Sequence, residues 1–269
     1  MKKNTYTVDY HIHSNISPDG HESIDSICKR AIQLGLNEIA VTDHFDPWAK
    51  NPHCSEYNID IVNREIKSAR EKYADRIKIL KGVEVGQAGN HPKPVENLIE
   101  CGDFDYVIGS VHYIDDVCDI AMYPFDLKNY KTAFEKYFLS LYEVAKTGLY
   151  DCIGHLDYPK RYSSIYGIRM SHGYYMDIIE AIFKEVINRG KGIEINYSGL
   201  RQKIADTLPT YELVKLYKSM GGINITVGSD AHRLYAIGDH TGRALQMLED
   251  IGFNYITLYE KRIPKYIKI

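Results

Sequence analysis

Short apolar, β-branched runs recur along the chain at 6–12, 38–43, 77–85, 106–111, 152–156, 192–197 and 223–229. Runs of this length, bounded by polar or turn-forming residues, predict strands. Between them the apolar positions fall at helical spacing. Ile24, Ile27, Cys28, Ala31 and Ile32 follow the i, i+3, i+4, i+7, i+8 pattern of one buried helix face, and Gly35 supplies a stop. Residues 57–75 are charged and helical, and 128–147 repeat the pattern through Phe134, Tyr137, Phe138, Leu141 and Ala145. Pro209 suits a first helical turn that Gly221 and Gly222 would end. Seven strands alternating with helices predict parallel βα units with right-handed crossovers. An open doubly wound sheet has the same linear pattern. A barrel is favoured because six strands deliver ligand-type polar residues at their C-terminal ends, and curvature gathers such ends around one centre. The expected fold is an α/β, irregular (β/α)7 TIM-like barrel, with a last run at 255–259 either closing it or lying outside.

Composition adds limits. At 269 residues and 44% apolar content, the chain can bury one such core. No linker, repeat or low-complexity stretch divides it, so 1–269 is expected to be a single domain. With 33 basic and 36 acidic residues the net charge is −3, which gives no electrostatic case for nucleic acid or an anionic membrane. The start, MKKNTYTVDYHIH, lacks an apolar run long enough for a signal peptide or a membrane span. Cysteines 28, 54, 101, 118 and 152 are odd in number and never form CxxC, which fits a reducing cytoplasm. The 23 tyrosines suit a wet pocket as well as a core. No feature fixes the oligomeric state.

The chemistry lies at the strand ends. His11 and His13 stand at i and i+2 of the first strand and so point to one side, where they can grip one ion. Asp19 follows in PDG, a sequence that also forms turns for reasons of its own. The second strand ends AVTDH with His44, and the third, KGVEVG, buries Glu84 among apolar neighbours. A carboxylate there needs a cation, either metal ions or an ion pair with a residue such as Lys81. YVIGSVH and DCIGHLDY bring His112 and His155, and ITVGSDAH brings Asp230 and His232. Imidazole and carboxylate are ordinary ligands of zinc, iron and manganese, and nine such groups suit a cluster of two or three ions.

In order along the chain, HIHSNISPDG, TDHFD, GVEVG, GSVH, IGHLD and GSDAH resemble the motifs of the polymerase-and-histidinol-phosphatase (PHP) superfamily from residue 8 to residue 242. KGVEVG, DYVIGSVH, DCIGHLDYPKR and EINYSGLR are similar to its histidinol-phosphatase branch. The resemblance implies an irregular seven-stranded barrel with up to three divalent ions, zinc, iron or manganese. It assigns His11, His13, Glu84 and Asp230 to one ion. Glu84 would bridge to a second with His112 and His155, and Asp19, His44 and His232 would hold a third. It further implies attack on a phosphate monoester by metal-bound hydroxide held by Glu84, His13 and Asp230.

Arg161 and Arg201 are candidates for a phosphate fork, with Lys160 and His240 as further candidate contacts. Ser110 reads as packing or as a support behind the ligands, and Asp43 and Asp157 as orienting partners of ligand imidazoles. His53 and His91 lie in loops that could reach the pocket, whereas His21 and His172 read as structural or solvated. Asp157, Asp115-Asp116 or Asp119 could meet an ammonium, and tyrosines near 158–166 an imidazole. The expected activity is hydrolysis of L-histidinol phosphate to L-histidinol and inorganic phosphate, in histidine biosynthesis. The alternatives are a phosphomonoesterase acting on another small metabolite, a PHP-type exonuclease and a metal-stabilised scaffold. Nucleic-acid and membrane partners are not expected.

Overall fold

A computed structural model describes residues 6–46 and 57–269. The chain alternates strands β1 (Val8–Ile12), β2 (Glu38–Val41), β3 (His44–Phe45), β4 (Lys78–Gly86) and β5 (Tyr106–Ser110) with helices α1 (Ile24–Gln33), α2 (Ile59–Tyr73) and α3 (Pro92–Gly102). After a small hairpin of β6 (Tyr113–Ile114) and β7 (Cys118–Asp119) come α4 (Tyr130–Thr147), β8 (Cys152–Ile153), α5 (Pro159–Ser163) and α6 (Met176–Asn188). The remainder is β9 (Gly192–Asn196), α7 (Tyr211–Ser219), β10 (Ile225–Gly228), α8 (Thr241–Ile251), β11 (Tyr255–Glu260) and β12 (Ile263–Lys268).

The main sheet runs β1-β2-β4-β5-β8-β9-β10, with every neighbouring pair parallel. A bridge between Ile12 and Ala231 joins its edges, with His13 N donating to Ala231 O at 2.9 Å. The product is a nearly closed barrel. Its strands are buried on both faces, which is why they read as continuous apolar runs. The 38–43 run breaks at Thr42 and Asp43 and resumes as β3, beside the C-terminal half of β4. Pro209 falls just outside α7, whose N-cap is Thr210.

The 255–259 run lies outside the barrel as one arm of the antiparallel β11–β12 hairpin. Arg262 pairs with Asp151, and Lys261 N donates to Asp105 Oδ1; both aspartates lie just before barrel strands. The hairpin therefore covers the N-terminal mouth, where Tyr10, Tyr106 and Tyr259 pack ring against ring. Much of the tyrosine content is core. Among the described residues, no helix is long and apolar enough to cross a membrane.

Candidate metal centre

At the opposite, C-terminal mouth, the strand ends converge on Glu84, which is buried on β4. Its Oε2 lies 3.1 Å from His11 Nε2, 3.5 Å from His13 Nε2 and 3.1 Å from His44 Nδ1. Its Oε1 lies 3.1 Å from His112 Nε2 and 2.8 Å from His155 Nε2, and accepts from Ser110 Oγ at 2.6 Å. Parallel register produces part of this arrangement, since His44 stands opposite Glu84 in the β3–β4 pair. His155 and Asp230 instead hold left-handed φ values of 24° and 52° just beyond their strands. Such a backbone costs a non-glycine residue about 1–3 kcal/mol and persists where the surroundings require it.

Asp230 Oδ1 stands 3.5 Å from His13 Nε2 and 3.9 Å from His11 Nε2. On the solvent side, Asp19 Oδ2 is 3.0 Å from His232 Nε2 and 3.7 Å from His44 Nε2. The structure thus brings all nine predicted ligand residues to one place. Several rings are held from behind. His13 Nδ1 meets Ser17 Oγ at 3.2 Å, and that hydroxyl donates to Asp43. His112 Nδ1 meets Asp46 Oδ2 at 3.2 Å, and His11 Nδ1 meets Glu194 Oε1 at 2.7 Å. Such contacts select the tautomer and turn the other nitrogen inward.

Protons alone suit this cluster poorly. The His13 ring lies 4.3 Å from His44 and 4.2 Å from His232, so charging all three sets cations against one another. Burial and the imidazoles of His232 and His44 accordingly push His13 down to about 3. Burial would lower His44 too, but Glu84 and Asp19 lift it to about 9. Burial would raise Glu84, yet His11, His112 and His44 hold its carboxyl well below the usual range. His13 Nε2, His44 Nδ1 and His232 Nε2, all turned into the cluster, are hidden from water and make no hydrogen bond. An ion smaller than water fits such atoms; an unfilled polar pocket would leave them costly. Four overlapping donor groups, His11/His13/Asp230, Glu84/His112/His155, His13/His44/His232 and His44/Asp46/His112, each bring their ligand atoms within 4.8 Å of one another. The donor set is that of a multinuclear site for divalent ions.

A cleft of about 440 Å³ opens over the cluster and is lined by Arg161, Arg201, Tyr158 and Tyr162. Arg161 Nη1 is 3.1 Å from Asp230 Oδ2, and its guanidinium lies 5.3 Å from the Tyr162 ring. Arg201 Nη2 donates to Ser229 O at 2.7 Å. Tyr158 stacks on His155 at 4.3 Å, so one face of its ring is already used.

Other candidates fall elsewhere. Lys160 is buried and turns to Thr207 O, Asp157 and Asp206, with Nζ 2.6 Å from the carbonyl. It stands one residue from Arg161 on α5, and adjacent helical positions face different ways. His240 precedes α8 with a left-handed φ and pairs with Asp239, outside the residues lining the cleft. Asp157 pairs with the ammonium of Lys160 and with His172, not with a ligand imidazole. Asp115 pairs with Lys136, and Asp116 with His91, Gln87 and Asn90, which also ties His91 away from the cluster. Asp119 is the exception, since it lines an adjoining cleft together with Asp19, His44, His112 and Tyr158. Lys81 binds Asn63, not Glu84. His53 lies outside the described residues. Sequence reasoning passed over Asp46 and Glu194. The signal for Glu194 was GIEIN, a lone carboxylate in an apolar strand as in GVEVG, and Asp46 is the last residue of the TDHFD motif.

A barrel that gathers imidazoles and carboxylates at its C-terminal mouth, beneath a cleft holding two arginines, defines a multinuclear metallohydrolase. Residues 9–198 match the PHP domain family, and the chain belongs to that family, in its histidinol-phosphatase branch. It is 30% identical over 263 residues to the "probable histidinol-phosphatase" of Clostridium acetobutylicum, covering 96% of this chain and 98% of the relative. It is 28% identical over 261 residues to the histidinol-phosphatase of Lactococcus lactis, covering 96% of this chain and 95% of that one. The crystal structure of the histidinol phosphate phosphatase from Lactococcus lactis, complexed with zinc, L-histidinol and phosphate, superposes with a TM-score of 0.85 at 26% identity. That match covers 97% of this chain and 100% of the other.

Proposed function

We infer that the protein is a metal-dependent phosphomonoesterase that hydrolyses L-histidinol phosphate to L-histidinol and inorganic phosphate. The observation that carries this reading is the convergence of five imidazoles on the two oxygens of Glu84, under a cleft that also holds Arg161 and Arg201. The Lactococcus lactis relative, solved with L-histidinol and phosphate, supports the substrate, and its zinc makes zinc the first metal to test. The reaction belongs to histidine biosynthesis, and the free thiols of Cys28, Cys101, Cys118 and Cys152 support a cytoplasmic setting.

Three divalent ions account for the donor set. His11, His13 and Asp230 would hold one with Glu84 Oε2; His112 and His155 a second with Glu84 Oε1; Asp19, His44 and His232 a third. Ions so held supply a nucleophilic oxygen near neutral pH and countercharge for phosphoryl oxygens. Glu84 would serve both of the first two sites, with Oε2 toward His11 and His13 and Oε1 toward His112 and His155. Asp46 and Ser17 fix the His112 and His13 rings from behind. Arg161 and Arg201 would receive the phosphate oxygens that face the cleft, and an arginine presents paired donors that lysine cannot. Lys160 and His240 take no part.

The test is a parallel assay of metal-reconstituted protein on L-histidinol phosphate, 4-nitrophenyl phosphate and single-stranded DNA. A kcat/KM highest on L-histidinol phosphate, with DNA uncut, is expected. Preference for another monoester would replace the substrate, and DNA cleavage would replace the reaction.

A further inference from the structure

His11 and His155 approach different oxygens of Glu84, yet one carboxylate behind them reaches both. Glu194, fully buried on β9, directs Oε1 to His11 Nδ1 at 2.7 Å. Its Oε2 accepts the backbone N–H of His155 at 3.0 Å and Asn196 Nδ2 at 3.2 Å. The space is shaped for this pair: a Cβ on Gly228 would come 2.3 Å from Glu194 Oε1 and 2.5 Å from His11 Cβ. The His155 amide belongs to the residue whose φ of 24° aims its ring at Glu84.

We propose that Glu194 is a positioning residue that fixes His11 as the Nδ1–H tautomer and ties it to the turn aiming His155, so that the ions held by these two histidines bind as a coupled pair. An Nδ1–H bonded to Oε1 leaves Nε2 unprotonated toward Glu84 and Asp230, as a ligand must be. The second oxygen of the same carboxylate holds the His155 backbone. Both acceptors are in use, so the glutamine isostere cannot replace it, because an amide has only one carbonyl oxygen. If that oxygen serves the His155 amide, the NH2 faces His11 Nδ1 and forces the imidazole proton to Nε2. If it serves His11, the NH2 opposes two N–H donors at His155 and Asn196. Either arrangement disturbs one of the two ligands, and the shared Glu84 passes the disturbance to the other.

The inference rests on the metal-centre reading, but its readouts are proton position and metal affinity, not turnover. Zinc-loaded wild type, Glu194→Gln and Gly228→Ala are compared by nitrogen NMR of the imidazoles and by chelator competition. Wild-type His11 is expected to carry its proton on Nδ1. In Glu194→Gln two ions should weaken together by roughly 10–100-fold, the usual cost of losing a carboxylate behind a ligand histidine. Gly228→Ala should weaken the same two, leaving the ion of Asp19, His44 and His232 in place. A wild-type His11 protonated on Nε2 overturns the proposal, and this holds even where a variant does not fold. So does wild-type affinity for all ions in Glu194→Gln, or loss of one ion of the pair alone. Failure of the wild type to hydrolyse L-histidinol phosphate would overturn the substrate assignment and leave these readouts standing.

Discussion

Glu84→Gln should be the most damaging conservative change in the protein. The substitution keeps volume and shape but removes the charge that faces five imidazole nitrogens at 2.8–3.5 Å. One of the two oxygens becomes an NH2, a donor that cannot bind a cation. If that nitrogen takes the Oε1 position, it faces His112 and His155; at Oε2 it faces His11, His13 and His44. At least one ion therefore loses its only shared carboxylate oxygen. Losing metal-centred stabilisation of a phosphoryl transfer is worth about 4 kcal/mol or more, which is roughly 10³-fold in rate. Metal content after exhaustive dialysis and steady-state hydrolysis of L-histidinol phosphate are measured on the same preparation. A variant retaining all its metal and activity within about tenfold of wild type would refute the bridging role.

Other perturbations follow from the same geometry. Arg161→Ala and Arg201→Ala should each raise KM and the inhibition constant for inorganic phosphate by roughly 10–100-fold, the cost of a partly buried charge-assisted pair; unchanged phosphate inhibition in both would make them solvated loop charges. Asp19→Ala should fold, keep about two ions and lose most activity, with His44→Ala and His232→Ala non-additive beside it if they dismantle one site; additive losses, or full metal content in Asp19→Ala, would contradict this. Metal removal should make stability depend on pH. His44 is lifted from 6.5 to about 9, so its contribution in chelated protein is complete below 6.5 and lost as pH rises through 9. The Tm of chelated protein should therefore fall between pH 7 and 9 more than that of the zinc-loaded form, and parallel curves would argue that ions do not replace those protons.

The strand ends were legible because period and burial are local. An apolar run ending in histidine predicts both a strand and a group at its mouth, and the parallel register then fixes neighbours such as His44 and Glu84. The direction of loop side chains was not legible. Lys160 and Arg161 are adjacent in sequence, yet one lies in a buried salt bridge and the other over the cluster. His240 ends the turn at 237–240 that follows the 3₁₀ segment Leu234–Ala236, an irregular stretch that no periodicity foretells. The supporting carboxylates were hidden for another reason. Glu194 and Asp46 acquire meaning only once His11 and His112 are seen to need a partner on their outer nitrogens. The β11–β12 hairpin was ambiguous because a strand that closes a barrel and one that covers its floor can both read as a short, continuously buried run, as Ile256–Tyr259 does.

Three ions gathered around Glu84 would together receive the phosphate, and anomalous diffraction from zinc-loaded crystals soaked in inorganic phosphate would show them. Three metal peaks are expected, two of them flanking the carboxylate of Glu84 and one between Asp19, His44 and His232, with the phosphate touching all three and Arg161 or Arg201. Two peaks alone, or a phosphate bound away from Glu84, would rule out a trinuclear phosphate site.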